Sequence, residues 1–124
     1  MMSQGGRVLV IDDNTDLTSI ISMVLSFEGF SVKVCNDLEE GFFCLHDWRP
    51  QLLLLDVNID GKDAREFSKK IKSDKGQDVK IILMSGDELM LEHLDEDGAD
   101  DYIIKPFDSS LLVQKISTHF TEKV

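Results

Sequence analysis

Four consecutive leucines, Leu52 to Leu55, run directly into Asp56. Such a run cannot alternate between a wet and a dry face, so both faces want burial, as in a central strand of a parallel sheet. Val57-Asn58-Ile59-Asp60-Gly61 follows with loop chemistry. Val8 to Ile11 is a second continuous apolar run and also ends in acid, at Asp12-Asp13. Val79 to Met84 is a third, stopping at Ser85-Gly86-Asp87, and the short Tyr102-Ile103-Ile104 stops at Lys105-Pro106. Phe30, Val32 and Val34 instead alternate with Ser31, Lys33 and Cys35, the pattern of an edge strand with one wetter face.

Helical periodicity fills the gaps between these runs. Leu17, Ile20, Ile21, Val24 and Phe27 predict an amphipathic helix capped by Asn14 or Thr15 and ended by Gly29. Asp37 can cap a second helix with an apolar stripe of Phe42, Leu45 and Trp48, closed by Pro50. Ala64, Phe67 and Ile71 mark a third, whose outer face is basic (Lys62, Arg65, Lys69, Lys70, Lys72). Asp87 to Asp97 predicts a weak, acidic fourth helix with Leu91 and Leu94 inward, broken by Gly98. Asp108 or Ser109 caps a last helix with Leu112, Ile116 and Phe120 on one face. Residues 1–6 form a polar lead-in, expected to be frayed. The result is a βα unit repeated five times. Crossover helices force a parallel sheet, and right-handed crossovers place helices on both faces. The predicted fold is therefore α/β and doubly wound, with strand order 2-1-3-4-5 and the alternating second strand at an edge.

Composition narrows the function. The chain has 124 residues, 42% hydrophobic and 30% charged, which suits one ordered domain over residues 1–124 with a core from about 7 to 121. A formal net charge of −11 repels phosphate backbones, so nucleic-acid binding by this chain is not expected. A cation site or a basic protein partner fits better. Cys35 and Cys44 have neither metal-ligand spacing nor a disulfide framework, and are expected to be reduced. No apolar run approaches the roughly 18 residues of a membrane span, and no secretory signal is evident. No membrane partner is expected, and the expected location is the cytoplasm.

The strand ends carry the chemistry. In a parallel sheet all of them reach one rim, where open α/β sheets bind ligands. The first strand delivers Asp12 and Asp13, the third Asp56, the fourth Ser85 and the fifth Lys105. Taken singly, each is an ordinary cap, turn residue or solvated charge. Jointly, their types fit one task. Clustered carboxylates repel unless a cation neutralises them, and all-oxygen ligands suit a hard ion such as Mg²⁺. An Asp carboxylate can attack phosphorus to form an aspartyl phosphate, and that transition state needs charge neutralisation and positioning. The metal would neutralise one side and Lys105 the other, while the Ser85 hydroxyl donates to a third oxygen. His46, His93 and His119 show no acid partner or spacing and are taken as surface or packing residues.

Val10-Ile11-Asp12-Asp13, Leu54-Leu55-Asp56, Met84-Ser85-Gly86 and Tyr102-Ile103-Ile104-Lys105-Pro106-Phe107 together resemble the receiver domains of two-component signalling. The likeness covers about Val8 to Phe120 and is to single-domain receivers of the chemotaxis or sporulation phosphorelay type, with a flavodoxin-like fold. It implies that Asp56 is the phosphoacceptor. It makes Asp13 a direct ligand of Mg²⁺, Asp12 a ligand mostly through water, and the Asn58 main-chain carbonyl the remaining protein ligand. Ser85 and Tyr102 fall on the switch pair, and Lys105 on the phosphoryl-binding lysine, with a Lys105–Pro106 bond usually cis. It further implies a sensor histidine kinase or histidine phosphotransfer protein as donor, self-catalysed phosphotransfer and dephosphorylation, and an output surface on the fourth helix, fifth strand and fifth helix. In the phosphorelay case docking would also use Thr15, Leu17 and Thr18. Output is expected through a downstream protein partner or an output domain absent from this chain. Two positions depart from the family: Ile59-Asp60-Gly61 replaces the common Met-Pro-Gly, and Asp63-Ala64 replaces Asp-Gly. Asp60 is expected to shift metal affinity or phosphoryl lifetime without abolishing function, so Asp60→Pro should change one or the other.

Two rival readings fail on specific residues. Asp56 to Gly61 nearly fits a calcium loop of the EF-hand type, but the twelfth position is Phe67 where a bidentate Glu is needed. A phosphatase that forms an aspartyl phosphate normally has a second acid two residues on. Here Asn58 stands there, and it cannot act as a general acid.

Overall fold

The computed structural model describes residues 6–121, so residues 1–5 of the polar lead-in lie outside it. Strands β1 (Arg7–Ile11), β2 (Ser31–Cys35), β3 (Leu52–Asp56), β4 (Lys80–Ser85) and β5 (Asp101–Ile104) form one parallel sheet. Its order is β2-β1-β3-β4-β5, as the hydrophobic pattern requires. Helices α1 (Thr15–Phe27), α2 (Leu38–Trp48), α3 (Arg65–Ser73) and α4 (Ser109–Thr121) connect and cover it. None of the described helices is long and apolar enough to cross a membrane.

The leucine run explains the layering. Successive strand residues point to opposite faces. Leu52 and Leu54 join Ile21 and Leu25 of α1 and Leu112 and Ile116 of α4 in one core. Leu53 and Leu55 join Leu45 of α2 and Ile71 of α3 in the other. All four leucines are buried. At α2 the approach is so close that a Cβ on Gly41 would collide with the Ile11 side chain. The caps are Asn14, accepting from Leu17 N–H at 3.0 Å, Asp37 from Glu40 at 2.8 Å, and Asp108 from Leu111 at 2.8 Å.

Three local expectations differ. The buried face of α1 is Thr18, Ile21 and Leu25, whereas Ile20 and Phe27 are exposed, Phe27 by 87%. The apolar stripe is wider than the sheet can cover, so its edges face solvent. On α2, Gly41 and Leu45 take the inner positions and Phe42 turns outward, its ring 4.5 Å from that of His46. The predicted fourth helix shrinks to a 3₁₀ turn, Glu88–Leu91, followed by further turns. No Lys or Arg stands among its acids, and like charges at helical spacing destabilise a helix. Leu91 is still buried and Leu94 half-buried, so the inward positions hold without the helix.

Ion pairs staple the later elements. Lys72 on α3 donates to Asp100 Oδ2 at 2.6 Å, and that oxygen also accepts Ile81 N–H at 2.9 Å. Asp101 accepts Lys115 Nζ at 2.9 Å and lies 2.9 Å from His119 Nε2. The histidines therefore do have acid partners: His119 with Asp101, His46 with Asp74 at 3.8 Å and His93 with Glu96 at 3.5 Å. The first two contacts join segments that no local spacing relates. Cys35 is buried and Cys44 half-buried, both free. Burial, then the adjacent Cys44, pushes the Cys35 thiol up to about 12, which keeps it an unreactive packing group.

Leu54→Ala should cost about 2–5 kcal/mol in urea unfolding, because the cavity opens at the centre of the sheet. Burial alone would raise the Asp101 carboxyl, but donation from His119 and Lys115 outweighs it and holds the group below its usual range. An acid with a lowered folded pKa stabilises above its unfolded value and loses that contribution as pH falls through the folded value. Asp101→Asn should therefore cost about 1–2 kcal/mol at pH 7. The gap from wild type should close below about pH 4, as thermal unfolding across pH would read.

Candidate functional site

The carboxyl ends of β1, β3, β4 and β5 meet as the strand reading requires. Asp12 follows β1 and is fully buried, while Asp56 and Ser85, the last residues of β3 and β4, are each 7% exposed. Lys105 follows β5, and its N–H donates to the Ser85 carbonyl at 2.8 Å, holding the two strand ends together. The Lys105–Pro106 peptide bond is cis.

Lys105 Nζ lies 2.8 Å from Asp12 Oδ2 and 3.0 Å from Asp56 Oδ1. Asp12, Asp13 and Asp56 each present a carboxylate oxygen within 4.8 Å of the others. Asp12 is further held by Asn14 N–H at its Oδ1 (3.0 Å) and by Asn36 Nδ2 at its carbonyl (2.9 Å). Burial raises the Asp56 carboxyl above its ordinary value, and Asp12 and Asp13 add to the rise that Lys105 only partly opposes. For Lys105, burial would lower the ammonium, but bonding to Asp12 and Asp56 wins and raises it. Three ionised carboxylates against one ammonium leave two negative charges uncompensated. The donor set is hard oxygen throughout, so the residues fit a divalent hard cation.

A cleft of about 640 Å³ opens above this cluster, lined by Asp13, Asp56, Asn58, Ser85, Asp87 and Lys105 among others. Ser85 Oγ accepts Asp87 N–H at 3.0 Å, which leaves the hydroxyl proton free to point into the cleft. Tyr102 does not line it. It sits outside at 39% exposure, with Lys115 Nζ 4.4 Å from its ring centre. None of the three histidines lines the cleft.

The loop after Asp56 is not a calcium loop. Asn58–Ile59 and Lys62–Asp63 pair as a small antiparallel hairpin around Asp60-Gly61. Both turn residues have positive φ, 53° and 77°, as two-residue hairpin turns favour. This turn aims the Asp60 N–H at Asp13 Oδ2, 2.9 Å away. Asp60 thus contributes a positive dipole to the acid cluster, a role that its carboxylate hides in the sequence. The strand reading also passes over Asn36, although it follows the end of β2 at the same rim and the strand-end rule applies to it.

A model of the response regulator receiver domain matches residues 8–117. The chain belongs to the response regulator receiver family. These are the phosphoacceptor modules of two-component signalling. The receiver is 32% identical over 110 residues to the DNA-binding response regulator MtrA of Mycobacterium tuberculosis, covering 89% of this chain and 48% of that protein. It is 36% identical over 110 residues to the transcriptional regulatory protein CpxR of Escherichia coli, covering 89% and 47%. The chain thus spans about half the length of the curated relatives it matches. A solved receiver domain from Bermanella marisrubri shares 28% identity at a TM-score of 0.84, covering 92% of this chain and 97% of that one. The chemotaxis response regulator CheY4 of Vibrio cholerae shares the fold at a TM-score of 0.84 and 21% identity, over 92% and 98%.

The hairpin makes Asp60→Pro a double change, since it removes the N–H offered to Asp13 and forbids the positive φ. Asp60→Asn keeps both and removes only the charge. By calorimetry, Asp60→Pro should weaken Mg²⁺ binding about tenfold or more, the scale of a hydrogen bond to a charged group. Asp60→Asn should change it by less than about fivefold.

Proposed function

We propose that residues 1–124 act as one receiver domain in which Asp56 accepts a phosphoryl group from a phosphohistidine, on a sensor histidine kinase or a histidine phosphotransfer protein. The observation that carries this reading is the placement of Asp56: at the end of the central strand, 3.0 Å from Lys105 and facing an open cleft. An Asp56 oxygen attacks phosphorus, the P–N bond to imidazole breaks, and the imidazole takes a proton from solvent. Charge builds on the equatorial phosphoryl oxygens. Lys105, already in the site, turns its ammonium from the Asp56 carboxylate toward one of them, while the Ser85 hydroxyl donates to another. Asp12, Asp13, Asp56 and the Asn58 carbonyl would hold Mg²⁺. When bound, the ion would neutralise the remaining carboxylate and phosphoryl charge. The same cleft admits water, which attacks phosphorus and breaks the acyl phosphate O–P bond, so the receiver resets itself.

Phosphorylation adds charge and acceptor oxygens at Asp56. Ser85 moves toward them, Tyr102 turns inward into the vacated space, and the surface of the 88–97 turns, β5 and α4 changes its presentation. A downstream protein, or an output domain outside this chain, reads that surface. The acidic stretch from Asp87 to Asp101 lies there and complements a basic partner. We place the domain in the cytoplasm, where its donors present phosphohistidine. Nucleic-acid contact is not assigned to this chain, whose charge is −11.

Incubation with Mg²⁺ and acetyl phosphate should add one phosphoryl mass to the intact protein. The adduct should be missing from Asp56→Ala and in EDTA. A folded, metal-loaded protein without the adduct would overturn the assignment.

A further inference from the structure

Tyr102 is the chain's one tyrosine, and its exposed ring faces the Lys115 ammonium at 4.4 Å. The lysine is not free to follow the ring. Its Nζ is held at 2.9 Å by Asp101 Oδ1, and its side chain is only 24% exposed. Asp101 is itself fixed from two sides. Oδ1 also accepts the Tyr102 N–H at 2.8 Å, and Oδ2 lies 2.9 Å from His119 Nε2. The carboxylate thus sets the ammonium at one point over the aromatic face, where the ring quadrupole attracts it. Partial burial strengthens that attraction relative to open solvent. Pairing along the sheet sets Ile104 opposite Ser85 and Tyr102 opposite Leu83, so the ring starts two residues below the rim. An inward turn carries it away from an ammonium that stays behind.

We infer that Lys115, oriented by Asp101, is a positioning residue that holds Tyr102 in its exposed rotamer and thereby sets the threshold for switching. The inference rests on the reading of Tyr102 as the switch residue. An ion pair between β5 and α4 thereby becomes a restraint on the output surface, adjustable without touching the acid cluster. Loss of the lysine charge releases the ring, and an arginine, which also stacks on aromatic faces, retains the restraint.

Fluorotyrosine labelling gives a single fluorine resonance, because there is one tyrosine. We would record it for wild type, Lys115→Met, which keeps the apolar stem, and Lys115→Arg, with and without Mg²⁺ and beryllofluoride as phosphoryl mimic. The wild-type resonance should move on mimic binding. Lys115→Met should start part-way along that shift and need about two- to fivefold less beryllofluoride for half conversion. Lys115→Arg should return to wild-type behaviour. If wild type responds but Lys115→Met keeps the wild-type position and half-point, the restraint is overturned and Lys115 is a structural staple alone. A lowered melting temperature with no change in the resonance overturns it equally. If the mimic binds at Asp56 and leaves the wild-type resonance unmoved, the switch reading falls and takes the restraint with it.

Discussion

Everything at the rim depends on crowding like charges where burial makes that costly. Asp12 and Asp56 are almost wholly out of solvent, with Asp13 beside them, and Lys105 is the ammonium that bridges the two buried ones. Ions cost several kcal/mol each to desolvate, so such a cluster persists only with compensation. The molecule supplies it in layers: an ammonium across Asp12 and Asp56, and backbone N–H groups at Asp12 and Asp13. The compensation is incomplete, and burial leaves the Asp56 carboxyl raised. That deficit and the all-oxygen donor set fit a hard divalent cation.

The sheet makes this crowding possible. A strand of four leucines buried on both faces lies between β1 and β4, and its pairing with them holds Asp56 where β3 ends. Neighbouring strands add their functional groups at the same rim, Asp12 and Asp13 after β1, Ser85 at the end of β4 and Lys105 after β5. The fold's stability and the site's geometry therefore rest on the same side chains. Replacing core residues beneath Asp56 would disturb both together, whereas the Asp60-Gly61 turn meets the acid cluster from the exposed side.

The two sides of the rim are built differently. On one side the Asp60-Gly61 hairpin reaches over to Asp13. On the other, β5 and α4 carry the Asp101, Lys115 and His119 cluster around Tyr102. Lys105 stands between them, bound to the Asp12 and Asp56 carboxylates by its side chain and to the Ser85 carbonyl by its main chain.

From sequence alone, the strands, their order, the caps and the acids at the strand ends were legible, because periodicity and side-chain chemistry are local signals that parallel topology then brings together. The same signals could not say which side of a wide apolar stripe the sheet would cover, hence the exposed Ile20, Phe27 and Phe42 and the buried Thr18 and Leu25. Nor could they show that Asp60 offers its N–H to Asp13, since that depends on a positive φ in a hairpin 47 residues from its partner. The Lys105–Asp12 pair spans 93 residues, and the Asp101, Lys115 and His119 cluster joins a strand to a helix. Only the tertiary structure decides such contacts, because side-chain position in three dimensions depends on how whole elements dock, and no window of sequence records it.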